Sequence, residues 1–294
     1  MSWSIIWFDS GGFMVDLNDP PYVTTRWQSL KGSSTPEFRA ITERVPLKDG
    51  SNLKYIDVEE TEIDLTVIVR GDDEADLWSR LSQLSDYFNP RKGAGRLRVT
   101  TPSGTPRDLE CYPISGFKIN ESTLSPTMVD VELTFLATNP YWRATNEIVE
   151  TFALDNPPDW FPIFPLSLGG EAIVSVFQLD NFGDVPVYPT WKITGAGSNP
   201  IITNQSTGEH IGLTNNGGIT LDSGQFITID TQAKTIILND GTNLMSKLDW
   251  GSSFFTIPAN GVFEEGTSIK VEMPGATAES SIEVRYRNLY LGVL

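Results

Sequence analysis

Two segments of this chain alternate apolar and polar residues with a period of two, a pattern that a pleated strand satisfies and a helix does not. In residues 63–69 the positions Ile63, Leu65, Val67 and Val69 fall on one face, and in residues 129–135 so do Val129, Val131, Leu133 and Phe135. Each pattern predicts a half-buried antiparallel strand. Apolar runs bounded by Gly, Pro, Asn and Asp predict further strands near residues 5–9, 22–30, 38–45, 96–101 and 109–119. The turn Lys48-Asp-Gly-Ser, in which Gly50 can take a positive φ, predicts a hairpin or an extended arm.

One helix interrupts this β pattern. Asp72 or Asp73 supplies an N-cap, while Glu74 and Asp76 suit the positive end of the dipole. Leu77, Leu81, Leu84 and Phe88 recur at helical spacing until Asn89-Pro90 stops the run. Trp78 is expected to broaden the apolar stripe by which this helix packs on a sheet.

Beyond it, Asp155 to Leu166 holds four prolines in nine residues, which predicts a stiff connector whose aromatics Trp160, Phe161 and Phe164 dock on a domain. The second half predicts short strands near residues 173–179, 189–193, 200–204, 226–230, 235–238, 267–273 and 282–290, with no helix. Such spacing indicates a sandwich or jelly roll. The expected organisation is therefore one β domain over residues 1–150, a linker over 151–170 and a second β domain over 171–294.

The formal charge of −17 divides into −8 over residues 1–150 and −9 over residues 151–294. Neither half shows the basic stripe of a nucleic-acid binder, and attraction to anionic lipid is equally disfavoured. No stretch approaches the roughly 20 apolar residues of a membrane helix. The N-terminal run lacks a basic n-region and is broken by Asp9, so it does not read as a signal peptide. Synthesis and assembly in a cytoplasm are expected.

The inventory argues against catalysis. His210 is the single histidine, which excludes multi-histidine metal sites, and it is expected at the surface beside a hairpin tip. No Gly-x-Ser-x-Gly elbow or phosphate loop occurs, and Gly93-Ala-Gly95 lacks the third glycine of a dinucleotide fold. Residues 71–76 are rich in carboxylates but lack the spacing of a calcium loop, and a capped helix start accounts for them. Cys111, in a strand-like run, reads as a buried small hydrophobe. Glu59, Glu60 and Glu62 are the best opening for a two-carboxylate hydrolase, with Glu60 and Glu62 expected on one strand face, but 38 acidic residues guarantee such a group by chance. Trp160, Trp191 and Trp250 offer stacking surfaces for a sugar, so a glycan-binding β-sandwich module is the competing reading. The expected protein is not an enzyme and needs no metal or cofactor.

A set of segments in fixed order carries more information than any one of them. Asn139-Pro-Tyr-Trp closes the first half, and Asn181-Phe-Gly-Asp-Val-Pro-Val-Tyr-Pro opens the second. Asn199-Pro-Ile-Ile-Thr-Asn, Phe226-Ile-Thr-Ile-Asp-Thr, Gly241-Thr-Asn-Leu and the terminal Ile282 to Tyr290 follow. Together these resemble the distal tail proteins of long-tailed, non-contractile bacteriophages. That resemblance implies a first domain with a tail-tube-like β-sandwich or barrel and its one helix outside, followed by a galectin-like or jelly-roll β-sandwich. It also implies a homo-hexameric ring at the virion tail tip that joins the tail tube protein to the tip spike and receptor-binding proteins. Such a ring leaves a central channel for DNA without specific binding to it. Within the ring, the segment from Glu43 to Tyr55 is expected to reach a neighbouring subunit, with Val45, Leu47, Asp49, Gly50 and Leu53 as its contact residues.

Overall fold

The computed structural model describes residues 3–26, 30–44, 49–102, 104–115, 117–153, 172–260 and 265–293. Its contacts divide into two units, residues 1–145 with 290–294, and residues 146–289. The prolines and aromatics of the expected connector lie outside the described residues.

The first unit contains β1 (Ser4–Phe8), β2 (Met14–Asp16), β3 (Val23–Thr25), β4 (Phe38–Glu43), β5 (Asn52–Val58) and β6 (Thr61–Arg70). After α1 (Glu74–Tyr87) come β7 (Gly95–Thr100), β8 (Pro106–Pro113), β9 (Lys118–Ile119), β10 (Met128–Ala137) and β11 (Trp142–Ala144). Its main sheet runs β2-β1-β7-β8-β10-β6-β3, with β9 added on β10 and β11 on β8. The ladder between β6 and β10 sets Ile63, Leu65, Val67 and Val69 opposite Phe135, Leu133, Val131 and Val129. All eight side chains are buried. The period-two pattern thus selects both the face and the register, because a one-residue slip would turn every one of them to solvent.

The helix forms where its signals place it. The Asp73 carboxylate accepts the Asp76 amide at 2.8 Å, satisfying one of the orphan N–H groups of the first turn. Leu77, Leu81, Leu84 and Phe88 enter the same core as the sheet. There Phe88 and Phe135 pack around Trp7, with ring centroids 5.8 and 4.9 Å from it. Trp7 Nε1 donates to the Tyr87 carbonyl at 3.2 Å, pinning the helix end to β1. Trp78 departs from expectation. Displaced around the cylinder from the Leu77–Leu81–Leu84 line, it is 47% exposed.

The expected strand over 109–119 divides into β8 and β9 after Pro113. Beyond it, Ser115 Oγ accepts the Thr134 amide at 2.9 Å, taking the place of a ladder carbonyl. The last residues of the chain, counted with the second domain in the sequence reading, are grouped with the first unit. Val293 is 3% exposed within the first core, and its amide donates to the Ser33 carbonyl at 2.9 Å. The Arg107 guanidinium lies 3.8 Å from the centre of the Tyr290 ring and also donates to the Gly292 carbonyl.

The second unit opens with β12 (Ile148–Ala153) and β13 (Ala172–Leu179), followed by β14 (Thr190–Thr194), β15 (Gly197–Ser198) and β16 (Ile201–Asn204). It continues with β17 (His210–Gly212), β18 (Thr220–Leu221), β19 (Phe226–Asp230), β20 (Thr235–Leu238), β21 (Thr267–Pro274) and β22 (Ser281–Tyr286). A five-stranded sheet β12-β22-β14-β19-β20 and a four-stranded sheet β13-β21-β16-β17 supply one common core. Ile193, Ile227 and Val284 come from the first sheet, and Ile202, Ile269 and Val271 from the second. Each such aliphatic side chain contributes about 1.5–3 kcal/mol through burial. Strand β12 lacks a sequence signal because Val149, Glu150 and Thr151 are exposed in succession at a sheet edge. The described residues are mainly β with one α-helix, and no helix is long and apolar enough to cross a membrane.

Candidate functional site

The residues singled out for chemistry do not converge. Trp191 is fully buried in the second core, in edge contact with Phe255 at 6.4 Å, so it is a packing residue and not a sugar platform. Trp250 is 91% exposed, and Trp160 lies outside the described residues. His210 is half-buried at the start of β17 rather than on the open surface, and its carbonyl accepts the Ser253 amide at 2.8 Å. Glu59 and Glu60 fall in the connection between β5 and β6, not on a strand beside Glu62. Glu59 faces Arg39 at 3.8 Å. Burial pushes the Cys111 thiol up to about 12, leaving it a neutral core group. Among the described residues no group of three or more His, Cys, Asp or Glu could hold a metal ion.

What does stand out is a pair of surfaces on the first unit. Among the described residues, strands β4 and β5 pair only with each other, forming a two-stranded sheet separate from the main one. Phe38 sits opposite Val58 and Ala40 opposite Ile56; a register shift after Ile41 then brings Leu53 opposite Thr42. By strand alternation Phe38, Ile56 and Leu53 therefore share one face of the hairpin, and they are 52, 56 and 56% exposed. Tyr55, on the other face, is also 56% exposed. Of the expected arm residues, Asp49 and Gly50 are exposed at the turn, with Gly50 at φ +88°, and Leu53 belongs to the apolar stripe. Val45 and Leu47 lie outside the described residues.

The second surface was not read from the sequence, although its signal is present. Residues 91–98 contain Arg91, Lys92, Arg96 and Arg98 and no acid, within a chain of net charge −17. Strand register places Arg96 opposite Phe8 and Phe8 opposite Met14, so the three form one outward row. The Arg96 guanidinium is centred 4.4 Å from the Phe8 ring centre. Arg98 grips the buried Asp108 carboxylate through two bonds of 2.7 and 2.9 Å, and that carboxylate in turn holds the guanidinium pKa above its ordinary value. Beside the row, Asp9 Oδ1 accepts the amides of Gly11 and Phe13 at 2.9 Å each, which fixes a turn that presents Phe13 and Met14 at 67 and 61% exposure.

The recurring sequence segments prove to be fold signatures. Asn181 is fully buried, and its amide donates to the carbonyls of Val185 and Ile257 at 2.9 and 3.1 Å. A Cβ on Gly183 would stand 2.3 Å from the Leu289 carbonyl oxygen, so only glycine fits there. At the end of the first half, Asn139 Oδ1 accepts the Tyr141 amide at 3.2 Å, and Trp142 is 1% exposed.

Two family models match in tandem. Residues 20–151 match the phage tail protein RIFT-related domain, and residues 182–290 match the siphovirus-type tail component, C-terminal domain. This chain belongs to the siphophage distal tail family. No curated protein matches its sequence. Among solved structures, the Dit protein of phage SPP1, described as a paradigm of the hub adsorption apparatus in phages infecting Gram-positive hosts, superposes with a TM-score of 0.68 at 15% identity. The match covers 98% of this chain and 99% of that one. A chain of the phage P2 baseplate in its activated conformation with calcium gives a TM-score of 0.53 at 10% identity, covering 98% of both chains. Membership in this family makes the protein a structural component of a phage tail.

Proposed function

We propose that this distal tail protein is a non-enzymatic adaptor that closes into a homo-hexameric ring between the tail tube and the tip. Its other partners are the tail tube protein on one side and the tip spike and receptor-binding proteins on the other. The ring is assembled in the host cytoplasm and carried at the virion tail tip, with a central channel through which DNA passes. Function on this reading is geometric: identical heterologous contacts around an axis end in a finite ring with two different faces. The organisation into a ring-forming first domain, a connector over residues 151–170 and a second β-sandwich remains part of the proposal.

The observation that carries it is the free-standing β4–β5 hairpin. A two-stranded sheet is marginal alone in water, and this one also leaves Phe38, Leu53, Tyr55 and Ile56 exposed. Pairing its edges and covering its apolar stripe with a neighbouring copy satisfies both. The contact residues are then those of the expected arm, Val45, Leu47, Asp49, Gly50 and Leu53. Replacing residues 47–53 by a two-residue Asn-Gly turn is expected to preserve the circular-dichroism spectrum and cooperative melt while converting the ring to monomer in sizing chromatography with light scattering. An intact ring in that variant would remove the hairpin from the assembly contact.

A further inference from the structure

The most exposed large apolar side chain among the described residues is Trp250 of the second unit, at 91%. We propose that Trp250 and the polar groups gathered at Gly212 bind a neutral oligosaccharide, one pyranose ring of which stacks on the indole. The site belongs to the second unit alone, and the proposal is independent of the ring reading.

Hydrogen bonds hold the turn that carries Trp250. The Ser252 amide donates to the Asp249 carbonyl at 3.2 Å, and Gly251 takes φ +88° at the corner where a side chain would be strained. Both ends of the turn are tied to β17: the Asp249 amide donates to the Gly212 carbonyl at 2.9 Å, and the Ser253 amide to the His210 carbonyl at 2.8 Å. Ser252 Oγ takes the Gly212 amide at 3.2 Å, and Asp249 Oδ1 takes the Thr214 amide at 3.0 Å. The backbone that presents the indole is therefore ordered before a ligand arrives, which lowers the cost of binding.

Gly212 brings two polar side chains together beside this turn. A Cβ there would stand 2.3 Å from Asp249 Oδ2 and 3.6 Å from His210 Cδ2, so the carboxylate and the imidazole meet over the missing side chain. His210, alone among the residues singled out for chemistry, thus lies close to Trp250. With Oδ1 engaged by Thr214, Asp249 Oδ2 and the imidazole nitrogens have no hydrogen-bond partner among the described residues. They offer acceptors and a donor for sugar hydroxyls next to a flat apolar ring, the pairing of chemistries that an amphipathic pyranose presents.

The adjoining sheet face selects a neutral ligand. Ile202 and Ile211 enter the core, so alternation places Ile201, Thr203, His210 and Gly212 on the outer face, where Lys270 lies opposite Thr203 and Glu272 opposite Ile201. Lys270 is taken by Glu272 at 2.8 Å, and Asp249 together with the net charge of −17 repels an anionic sugar. A protein-binding centre clusters several apolar anchors, whereas Asp249, Gly251, Ser252 and Ser253 flank this single ring.

The test uses the full chain and saturation-transfer NMR against neutral oligosaccharides of glucose, galactose, mannose, rhamnose and N-acetylglucosamine, with heparin as the anionic probe. The expected result is binding of at least one neutral oligosaccharide, with Kd raised roughly tenfold by Trp250→Ala and largely kept by Trp250→Phe, which retains a flat ring. Because the side chain is exposed, Trp250→Ala is expected to melt as the unmodified protein does, which separates lost binding from lost folding. Binding of none of the neutral sugars, binding that Trp250→Ala leaves unchanged, or a preference for heparin would each overturn the proposal.

Discussion

The Asn181 side-chain amide donates to the carbonyl of Ile257 across 76 residues of sequence, at 3.1 Å, inside a site with no exposure to water. It binds the Val185 carbonyl as well, while its own oxygen takes the Gly183 amide at 3.0 Å. Asn181→Ala removes all three bonds and strands buried polar groups, at an expected cost of about 2–3 kcal/mol. Urea denaturation of the full-length protein followed by tryptophan fluorescence reads this out. A loss below about 0.5 kcal/mol would show that the motif does not clamp the loop.

Val293 links the end of the chain to the first core. Ending the chain after Leu289 removes that side chain and the two contacts of Arg107, and is expected to lower the melting transition of the first unit by several degrees, since about 1 kcal/mol shifts a domain of this size by roughly 2–8 °C. The same loss applies to an isolated fragment of residues 1–153. Calorimetry in which the first transition is unmoved would assign Val293 no stabilising role.

Cys111 is held neutral by burial, with its thiol pushed up to about 12. Because the charged form is the disfavoured one, maleimide at pH 8 is expected to leave it unmodified in the native protein and to label it fully in denaturant. Rapid native labelling, seen by intact mass, would place the thiol at the surface.

Asp76 accepts the Arg80 guanidinium at 2.7 Å and the Asp72 amide at 3.0 Å, which together hold its carboxyl below the usual range. A depressed carboxyl pKa stabilises the fold above the ordinary carboxylate range, and that stabilisation fades as pH falls through the lowered value. Arg80→Gln is expected to move the Asp76 titration, followed by carbon-detected NMR, back upward. An unchanged midpoint would leave the amide as the dominant cause.

The sequence by itself determined the elements whose residues report their own environment. Ile63 to Val69 and Val129 to Phe135 specify their buried faces because side chains alternate across a strand, and Asp73 with Leu77, Leu81 and Leu84 specifies the helix because capping and a 3.6-residue period are local properties. Family order was equally legible, since Asn181 and Gly183 sit where a single side chain or its absence is required. Only the tertiary structure decided what depends on neighbours distant in sequence. Trp191 is core while Trp250 is exposed, although both are tryptophans in β-rich sequence. Met14, Phe8 and Arg96 become one row through strand register between three separate segments, and Val293 returns to a core begun near the other terminus. Local pattern fixes which side of an element is apolar; which other element covers that side is settled by packing among segments tens to hundreds of residues apart, and composition does not encode it.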